Sequence, residues 1–264
     1  MEFSLELLFV GLILLTLVTI FGYLGYSGLF HSLAVSTLEP PTGALTLAYK
    51  TQVGPYKDVG WLFTESFCLL PHRQQLGIYY DDPEGVPAAQ LRCAVGPVLA
   101  TRGEQPDPAE VEKVEKEGFS IIHLASPSYV VSTSFPFTTT LSIYLAIYKA
   151  YPALRDYISE RRLCAYPALE LYTDAAIVFM MPLSRQDEFF VQEFQEDDVS
   201  VATDVSAATD PGEAIEKGEV AVGDEEREKQ SSSDCEDEEA FEEVNEKEVE
   251  ARRRRSIDIT RDRD

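Results

Sequence analysis

The chain of 264 residues has a net charge of −24, and most of that charge lies near its C-terminal end. Residues 186–250 hold 25 acidic and four basic side chains, whereas residues 43–185 hold 15 acidic and 12 basic ones. A polyanionic segment repels nucleic acid and anionic lipid headgroups. The composition therefore argues against direct nucleic-acid binding, and it separates an ordinary globular middle from an acidic tail.

An uncharged apolar run occupies residues 7–30. As a helix it would extend about 36 Å, which exceeds the roughly 30 Å hydrocarbon core of a bilayer. We predict a retained transmembrane helix; the alternative is a cleaved signal peptide, which usually follows basic residues, whereas Glu2 and Glu6 precede this run. Basic residues begin only at Lys50, so the positive-inside bias places residues 1–6 in the lumen and the body in the cytosol.

The globular middle, residues 43–185, follows a short tether at residues 31–42, and its apolar pattern predicts an α+β domain. After a first strand that contains Leu45 and Leu47, the predicted elements are a helix to about Leu70, strands at 75–81 and 89–99, and a helix at 106–118 that is capped by Asp107 before Pro108. Strands at 119–125 and 128–135 follow, then a helix at 137–162 whose second half Pro152 opens or kinks, and strands at 168–174 and 175–183. This order gives two strand–helix–strand–strand repeats related by a pseudo-twofold, with a mostly antiparallel sheet.

Four short motifs in this region are similar to those of one known family. They are "VGPY" (53–56), "GIYYDDP" (77–83), "RCAVG" (92–96) and "MMPL" (180–183). On these motifs residues 43–185 resemble the gyrase-inhibitor-like (GyrI-like) ligand-binding domain. The resemblance implies a cleft between the two repeats that binds small, often cationic, apolar ligands, and some relatives hydrolyse small molecules.

Five residues are candidates to line such a cleft: Trp61, Tyr79, Tyr80, Glu170 and Tyr172. Strand alternation places Glu170 on the face opposite Leu169 and Leu171, and we expect it to reach the neighbours of Tyr172 only if a bulge intervenes. A carboxylate surrounded by aromatic rings attracts a cation. The alternative is an ordinary solvated strand residue. Ligand binding that is lost on Glu170→Gln would distinguish the two.

The sequence contains no pattern that is typical of a catalytic or metal site. There is no G-x-S-x-G, P-loop or Rossmann motif. The three histidines, His31, His72 and His123, have no partner at ligand spacing. We therefore predict no metal, no cofactor and no enzymatic activity.

The acidic tail, residues 186–264, is predicted to be disordered because it cannot bury enough apolar surface to offset the entropy of ordering. The segment "DEFFVQEF" (187–194) is an exception, since its phenylalanines could fold back onto the domain. Further along, Phe241 and Val244 stand alone among acids in "EEAFEEVNE". An isolated aromatic ring gains nothing in a solvated tail unless a partner buries it.

The segment Phe241-Glu242-Glu243-Val244 is similar to an LC3-interacting region (LIR), a peptide that adds a strand to the sheet of a ubiquitin-like autophagy modifier. Two pockets then take Phe241 and Val244. Acids that precede the core, Glu238 and Glu239, would meet a basic rim on the modifier. The tail also offers candidate phosphorylation sites, whose added charge would strengthen the rim contact, at Ser231, Ser232 and Ser233.

The order of anchor, GyrI-like body and acidic tail resembles the membrane-anchored members of that family. The resemblance implies a reticulophagy receptor in the endoplasmic reticulum and nuclear envelope whose tail binds modifiers of the LC3/GABARAP class on the autophagosome membrane. The family motif resembles "FEEL", so Val244 implies somewhat weaker binding. Two alternatives stay open: a membrane-anchored small-molecule sensor or hydrolase, and an adaptor that recruits an AAA-type unfoldase in DNA–protein crosslink repair.

Overall fold

The computed structural model describes residues 2–195, which form four helices and eight strands. In chain order these are α1 (Glu2–Tyr26), β1 (Ser36–Leu38), β2 (Leu45–Val53), α2 (Gly60–Leu69), β3 (Gln75–Tyr79), β4 (Arg92–Thr101), α3 (Pro108–Lys116), β5 (Ser120–Leu124), β6 (Val130–Pro136), α4 (Thr140–Arg161), β7 (Ala168–Tyr172) and β8 (Ala176–Pro182). Short 3₁₀ turns occupy Tyr56–Asp58, Ala88–Gln90 and Gln186–Phe189.

The eight strands form one sheet in the order β1-β6-β8-β7-β3-β4-β2-β5, and all neighbouring pairs are antiparallel. The units β2-α2-β3-β4 and β6-α4-β7-β8 have the same internal order, and β3 pairs with β7 between them. Gly77 pairs with Glu170 at the centre of this β3–β7 ladder. The predicted α+β class with an antiparallel sheet is confirmed.

Two helices begin at side-chain caps. The Asp107 carboxylate accepts a hydrogen bond from the backbone N–H of Ala109 at 2.9 Å, with Pro108 at the first helical position, as predicted for α3. Thr139 and Ser142 form a reciprocal capping box at the start of α4. Pro152 does not open a separate helix, since α4 runs through this residue.

The two faces of the sheet are covered by different parts of the chain. Helices α2 and α4 cover one face, where Leu62 and Leu154 are fully buried. The other face is covered by the segment after β8, in which Phe189, Val191 and Phe194 are buried against the strands. Ordered structure therefore continues past the predicted domain end at 185, and the fold-back of 187–194 is confirmed.

The N-terminal helix stands apart from this core. Its segment Leu5–Tyr26 has a mean hydropathy of 2.6, and its most apolar window is not buried against the rest of the described chain. The helix is long and apolar enough to span a membrane, although it ends at Tyr26 and residues 27–30 form a turn. The predicted tether, residues 31–42, instead contains β1, which pairs with β6 at the sheet edge.

Candidate functional site

A carboxyl group is buried at the centre of the sheet, on the face that α2 and α4 cover. This group belongs to Glu170, which is only 2% exposed. Its Oε1 accepts a hydrogen bond from the Tyr151 hydroxyl at 2.6 Å, and its Oε2 accepts one from the Tyr172 hydroxyl at 2.7 Å. The Tyr79 side chain is a third hydrogen-bond partner. Buried charges require such donors, so the alternative of a solvated strand residue is wrong.

Ordinary strand alternation brings Glu170 and Tyr172 together. They are two residues apart on β7, and β7 pairs with β3 in an unbroken register. The condition that a bulge is needed for Glu170 to reach the neighbours of Tyr172 is therefore wrong, because residues at i and i+2 already share a face. Gly77 lies opposite Glu170, and a Cβ atom there would lie 3.0 Å from the rings of both Phe63 and Tyr79. The missing side chain leaves room for these rings beside the carboxyl.

Aromatic rings surround the carboxyl group. They contact one another edge to face, which is the geometry that suits the quadrupoles of the rings. The Tyr172 ring lies 5.0 Å from Phe63 and 6.0 Å from Phe137, centroid to centroid. The Tyr151 ring lies 5.6 Å from Phe179. Helices α2 and α4 thus each contribute an aromatic side chain to the wall, from opposite sides of the pseudo-twofold.

Burial raises the pKa of Glu170, and the hydrogen bonds from the tyrosines lower it without cancelling that effect. Burial, reinforced by the neighbouring carboxylate, raises the pKa of Tyr79, Tyr151 and Tyr172. The hydroxyls therefore remain protonated donors at neutral pH. The arrangement can hold a proton or balance the charge of a cation. Burial also raises the pKa of the Cys93 thiol to about 12, so it is not a nucleophile at neutral pH.

The other two predicted cleft residues lie elsewhere, and placing them in the cleft was wrong. Trp61 is 57% exposed, and its indole N–H donates to the Gln52 side-chain oxygen at 2.9 Å. Tyr80 lies on the opposite face, where its hydroxyl donates to the Phe189 carbonyl at 3.0 Å and its ring lies 4.8 Å from that of Phe190. Because side chains alternate along a strand, Tyr79 and Tyr80 cannot share one face.

Sequence reasoning missed Tyr151, Phe63 and Gly77. A glycine inside an apolar strand is a signal of close approach, and Gly77 carried that signal. Phe63 and Tyr151, which lie on helices, were harder to find. The apolar pattern of a helix identifies its buried side but not the part of the sheet that this side covers.

Two of the histidines, for which no role in a metal site was predicted, form hydrogen bonds with neighbouring side chains. His72 and His123 are paired with Glu110 at 2.7 Å and with Thr46 at 3.0 Å. Within the part of the chain that the structure describes, no three His, Cys, Asp or Glu side chains could hold a metal ion. The predicted site residues of the tail lie outside the described residues. They are Ser231, Ser232, Ser233, Glu238, Glu239, Phe241, Glu242, Glu243 and Val244.

The chain is 45% identical over 188 residues to testis-expressed protein 264 of Homo sapiens, across 71% of this chain and 60% of that protein. This chain resembles testis-expressed protein 264. The mouse homologue of that protein, from Mus musculus, is 46% identical over 176 residues, across 67% of this chain and 57% of its own length. The chain thus spans about 60% of the length of the curated relatives that it matches.

No family model matches the chain. Two solved structures have a distant likeness to it. SAV2435 bound to tetraphenylphosphonium has a TM-score of 0.37 at 12% identity, across 60% of this chain and 97% of its own. A hydrolase from Listeria innocua has a TM-score of 0.34 at 8% identity, across 57% of this chain and 91% of its own.

Proposed function

We propose that this protein is a membrane-anchored reticulophagy receptor whose tail binds ubiquitin-like autophagy modifiers of the LC3/GABARAP class. The observation that carries the proposal is the pair Phe241 and Val244, isolated among acids in a chain that begins with a span-length apolar helix. The body, on this proposal, is a GyrI-like domain in the cytosol.

The exposure of α1 supports the anchor. A helix of this hydropathy inside a soluble protein would bury its side chains in a core, but its large apolar residues are exposed, from Leu5 at 70% to Phe21 at 58%. Lipid is the solvent that suits such a surface on all sides. The proposed membrane is that of the endoplasmic reticulum, with the N-terminus in the lumen.

The length of chain between the body and the motif supports capture of a modifier on a second membrane. Residues 196–240 lie between the last described residue and Phe241. As a flexible coil this stretch would span roughly 35–40 Å, and its repelling charges would extend it further. Several receptors on one membrane patch would then bind by avidity, so that modest affinity at each motif is sufficient.

A peptide of residues 231–250 is expected to bind a GABARAP-class modifier with micromolar affinity. The expected mode is strand addition, in which Phe241 and Val244 fill alternate pockets, so the Phe241→Ala, Val244→Ala double variant should abolish binding. Isothermal titration calorimetry measures both. A matched control, Val249→Ala in the same peptide, leaves the core unchanged and should bind normally. Absence of binding, with or without phosphate on the three serines, would contradict the receptor role.

A second candidate function is the binding of a small apolar cation at Glu170, and the buried carboxyl with its aromatic wall favours it. The carboxyl supplies the charge and the rings supply cation–π attraction. Because the residue is 2% exposed, a ligand would have to displace Tyr151 or Tyr172 from its present hydrogen bond. No described contact favours the third alternative, an adaptor for an AAA-type unfoldase.

Binding of benzyltrimethylammonium to the full chain in detergent is expected to strengthen as pH rises from about 4.5, the ordinary value for glutamate. The folded pKa of Glu170 is raised, so the anion that attracts the cation forms only above that value. Glu170→Gln keeps a hydrogen-bond acceptor but removes the charge, and it should abolish saturable binding in a fluorescence or calorimetric titration. The Phe241→Ala, Val244→Ala variant is the control and should bind as the unmodified chain does. Binding that is independent of pH and of Glu170 would contradict this candidate.

A further inference from the structure

The chain that leaves α1 is fixed to the domain by hydrogen bonds at the start of α4. Ser27 is fully buried, and its hydroxyl lies 2.8 Å from that of Thr139. The Thr138 hydroxyl donates to the carbonyl of Tyr26, the last residue of α1, at 2.8 Å. The first turn of α4 is therefore held directly against the end of the apolar helix.

A second set of contacts fixes α4 three turns further on. The Lys149 ammonium donates to the Leu29 carbonyl at 3.0 Å and also to the carbonyl of His31. Gly28 has a φ of 100°, and a Cβ atom there would lie 2.7 Å from the Phe135 ring. Four of the five residues that follow the apolar helix are thus packed or hydrogen-bonded against α4 and β6: Ser27, Gly28, Leu29 and His31. The body cannot swing freely on this connection.

The outward side of this part of α4 is apolar. Tyr144 is 68% exposed, Ile147 is 40% exposed and Tyr148 is 80% exposed; together they form what we call the α4 aromatic face. Residues 140–151 contain one charged side chain, Lys149, and it is hydrogen-bonded to the connection. The rest of the helix is different, because residues 152–161 hold four charged side chains. Exposed helix surfaces in water are usually charged, as this second half is.

We propose that the α4 aromatic face lies in the headgroup layer of the membrane that α1 crosses. This inference rests on the anchoring in the proposed function, but it does not require the tail motif. If α1 spans the bilayer, Tyr26 is at its surface, and the capping residue of α4 is held beside it. Tyr144 and Tyr148 then lie about 7 and 13 Å further along the helix from that cap. The interfacial layer is about 5–7 Å thick on each side of the bilayer, so both rings reach it when α4 is inclined toward the membrane plane.

The chemistry of the face suits this occupant. Tyrosine is enriched at membrane interfaces because its ring is apolar and its hydroxyl remains hydrated. Tyr23 and Tyr26, near the end of α1, are also exposed, and they add two more tyrosines at the same membrane interface. Binding to a second copy of the chain or to a protein partner would not require this face to lie next to the point where α1 leaves the membrane. The lipid surface is therefore the occupant that the connection places against it.

The test places a fluorescent reporter on the face in the full chain. The chain has one tryptophan, Trp61, and Trp61→Phe removes it. Tyr148→Trp then reports from the face, and Glu160→Trp is the matched control, 74% exposed on the same helix and about 18 Å further along. Each variant is placed in nanodiscs that hold one chain, with lipids brominated near the headgroup. We expect quenching that is several-fold stronger for Tyr148→Trp than for Glu160→Trp.

Equal quenching of the two variants would overturn the inference, and so would quenching of Tyr148→Trp that requires two chains in a disc. If Tyr148→Trp fails to fold, Tyr144→Trp gives the same comparison. Flotation of the chain with vesicles after an alkaline carbonate wash tests the anchor separately. A chain that washes off contradicts the proposed anchoring as well, whereas a chain that floats but is not quenched contradicts only the position of α4.

Discussion

Replacing Gly96 with alanine is expected to prevent the sheet from forming. A Cβ atom on Gly96 would lie 1.9 Å from the backbone carbonyl oxygen of Ala48 and 3.1 Å from the Cα atom of Tyr49. These are backbone atoms of β2, the strand paired with β4, so no side-chain rotation can relieve the clash. Overpacking a core usually costs about 1–3 kcal/mol through side-chain shifts. A clash that moves two paired strands should cost more than about 4 kcal/mol, a large part of a domain's stability.

Gly60→Ala is the matched control for this substitution. Gly60 begins α2, no heavy atom lies within 4 Å of the position of its Cβ, and its φ is not positive. Alanine there should be neutral or slightly stabilising, by up to about 1 kcal/mol. Thermal denaturation of the full chain in detergent, followed by tyrosine and Trp61 fluorescence, measures both variants. The structural account of β4 is contradicted if Gly96→Ala melts within a few degrees of Gly60→Ala.

The fold was largely predictable because its signals are local. Alternation identified the strands, and Asp107-Pro108 identified the start of α3, as the hydrogen bond to Ala109 confirms. Since the two units repeat the same element order, the antiparallel arrangement also followed. The paths of the connections were not predictable, because they depend on single contacts across long sequence separations. Ser27 and Thr139 are 112 residues apart, and nothing near either residue indicates the pair.

The candidate site was predicted in part for the same reason. Glu170 and Tyr172 lie on one strand, and Tyr79 lies on the strand beside it, so their types and spacing carried the signal. Tyr151 reaches the carboxyl from α4, and only the packing of that helix on the sheet reveals it. The pairing of Tyr79 with Tyr80 was an error of a different kind, since alternation alone places them on opposite faces.

The end of the body is the point at which composition was most misleading. Residues 187–194 contain three acidic side chains, so the acidic tail was placed from residue 186. The apolar side chains among them decide the structure instead. Phe189 and Phe194 are each 3% exposed, and Val191 is fully buried. A few phenylalanines outweigh the surrounding charge, because the acids remain in solvent while the rings cover the open face of the sheet.

Truncation after residue 185 should therefore unfold the body, whereas truncation after residue 195 should leave it intact. The shorter chain loses the burial of Phe189, Val191 and Phe194, which contribute about 1.5–3 kcal/mol each. It also exposes the apolar side chains of the sheet that this segment covers, which include the Tyr80 ring packed against Phe190 and Phe194. The total is comparable with the whole stability of a typical domain.

Both truncated chains keep α1 and lack the tail motif, so they differ only in the ten residues that cover the sheet. Limited proteolysis and thermal melting in detergent should show rapid cleavage and no cooperative transition for the chain that ends at 185. A finer comparison uses Phe194→Ala, expected to cost about 3–5 kcal/mol, against the exposed neighbour Gln192→Ala, expected to be neutral. If the chain that ends at 185 melted like the one that ends at 195, residues 186–195 would belong to the tail, and the motif would gain their length as additional reach.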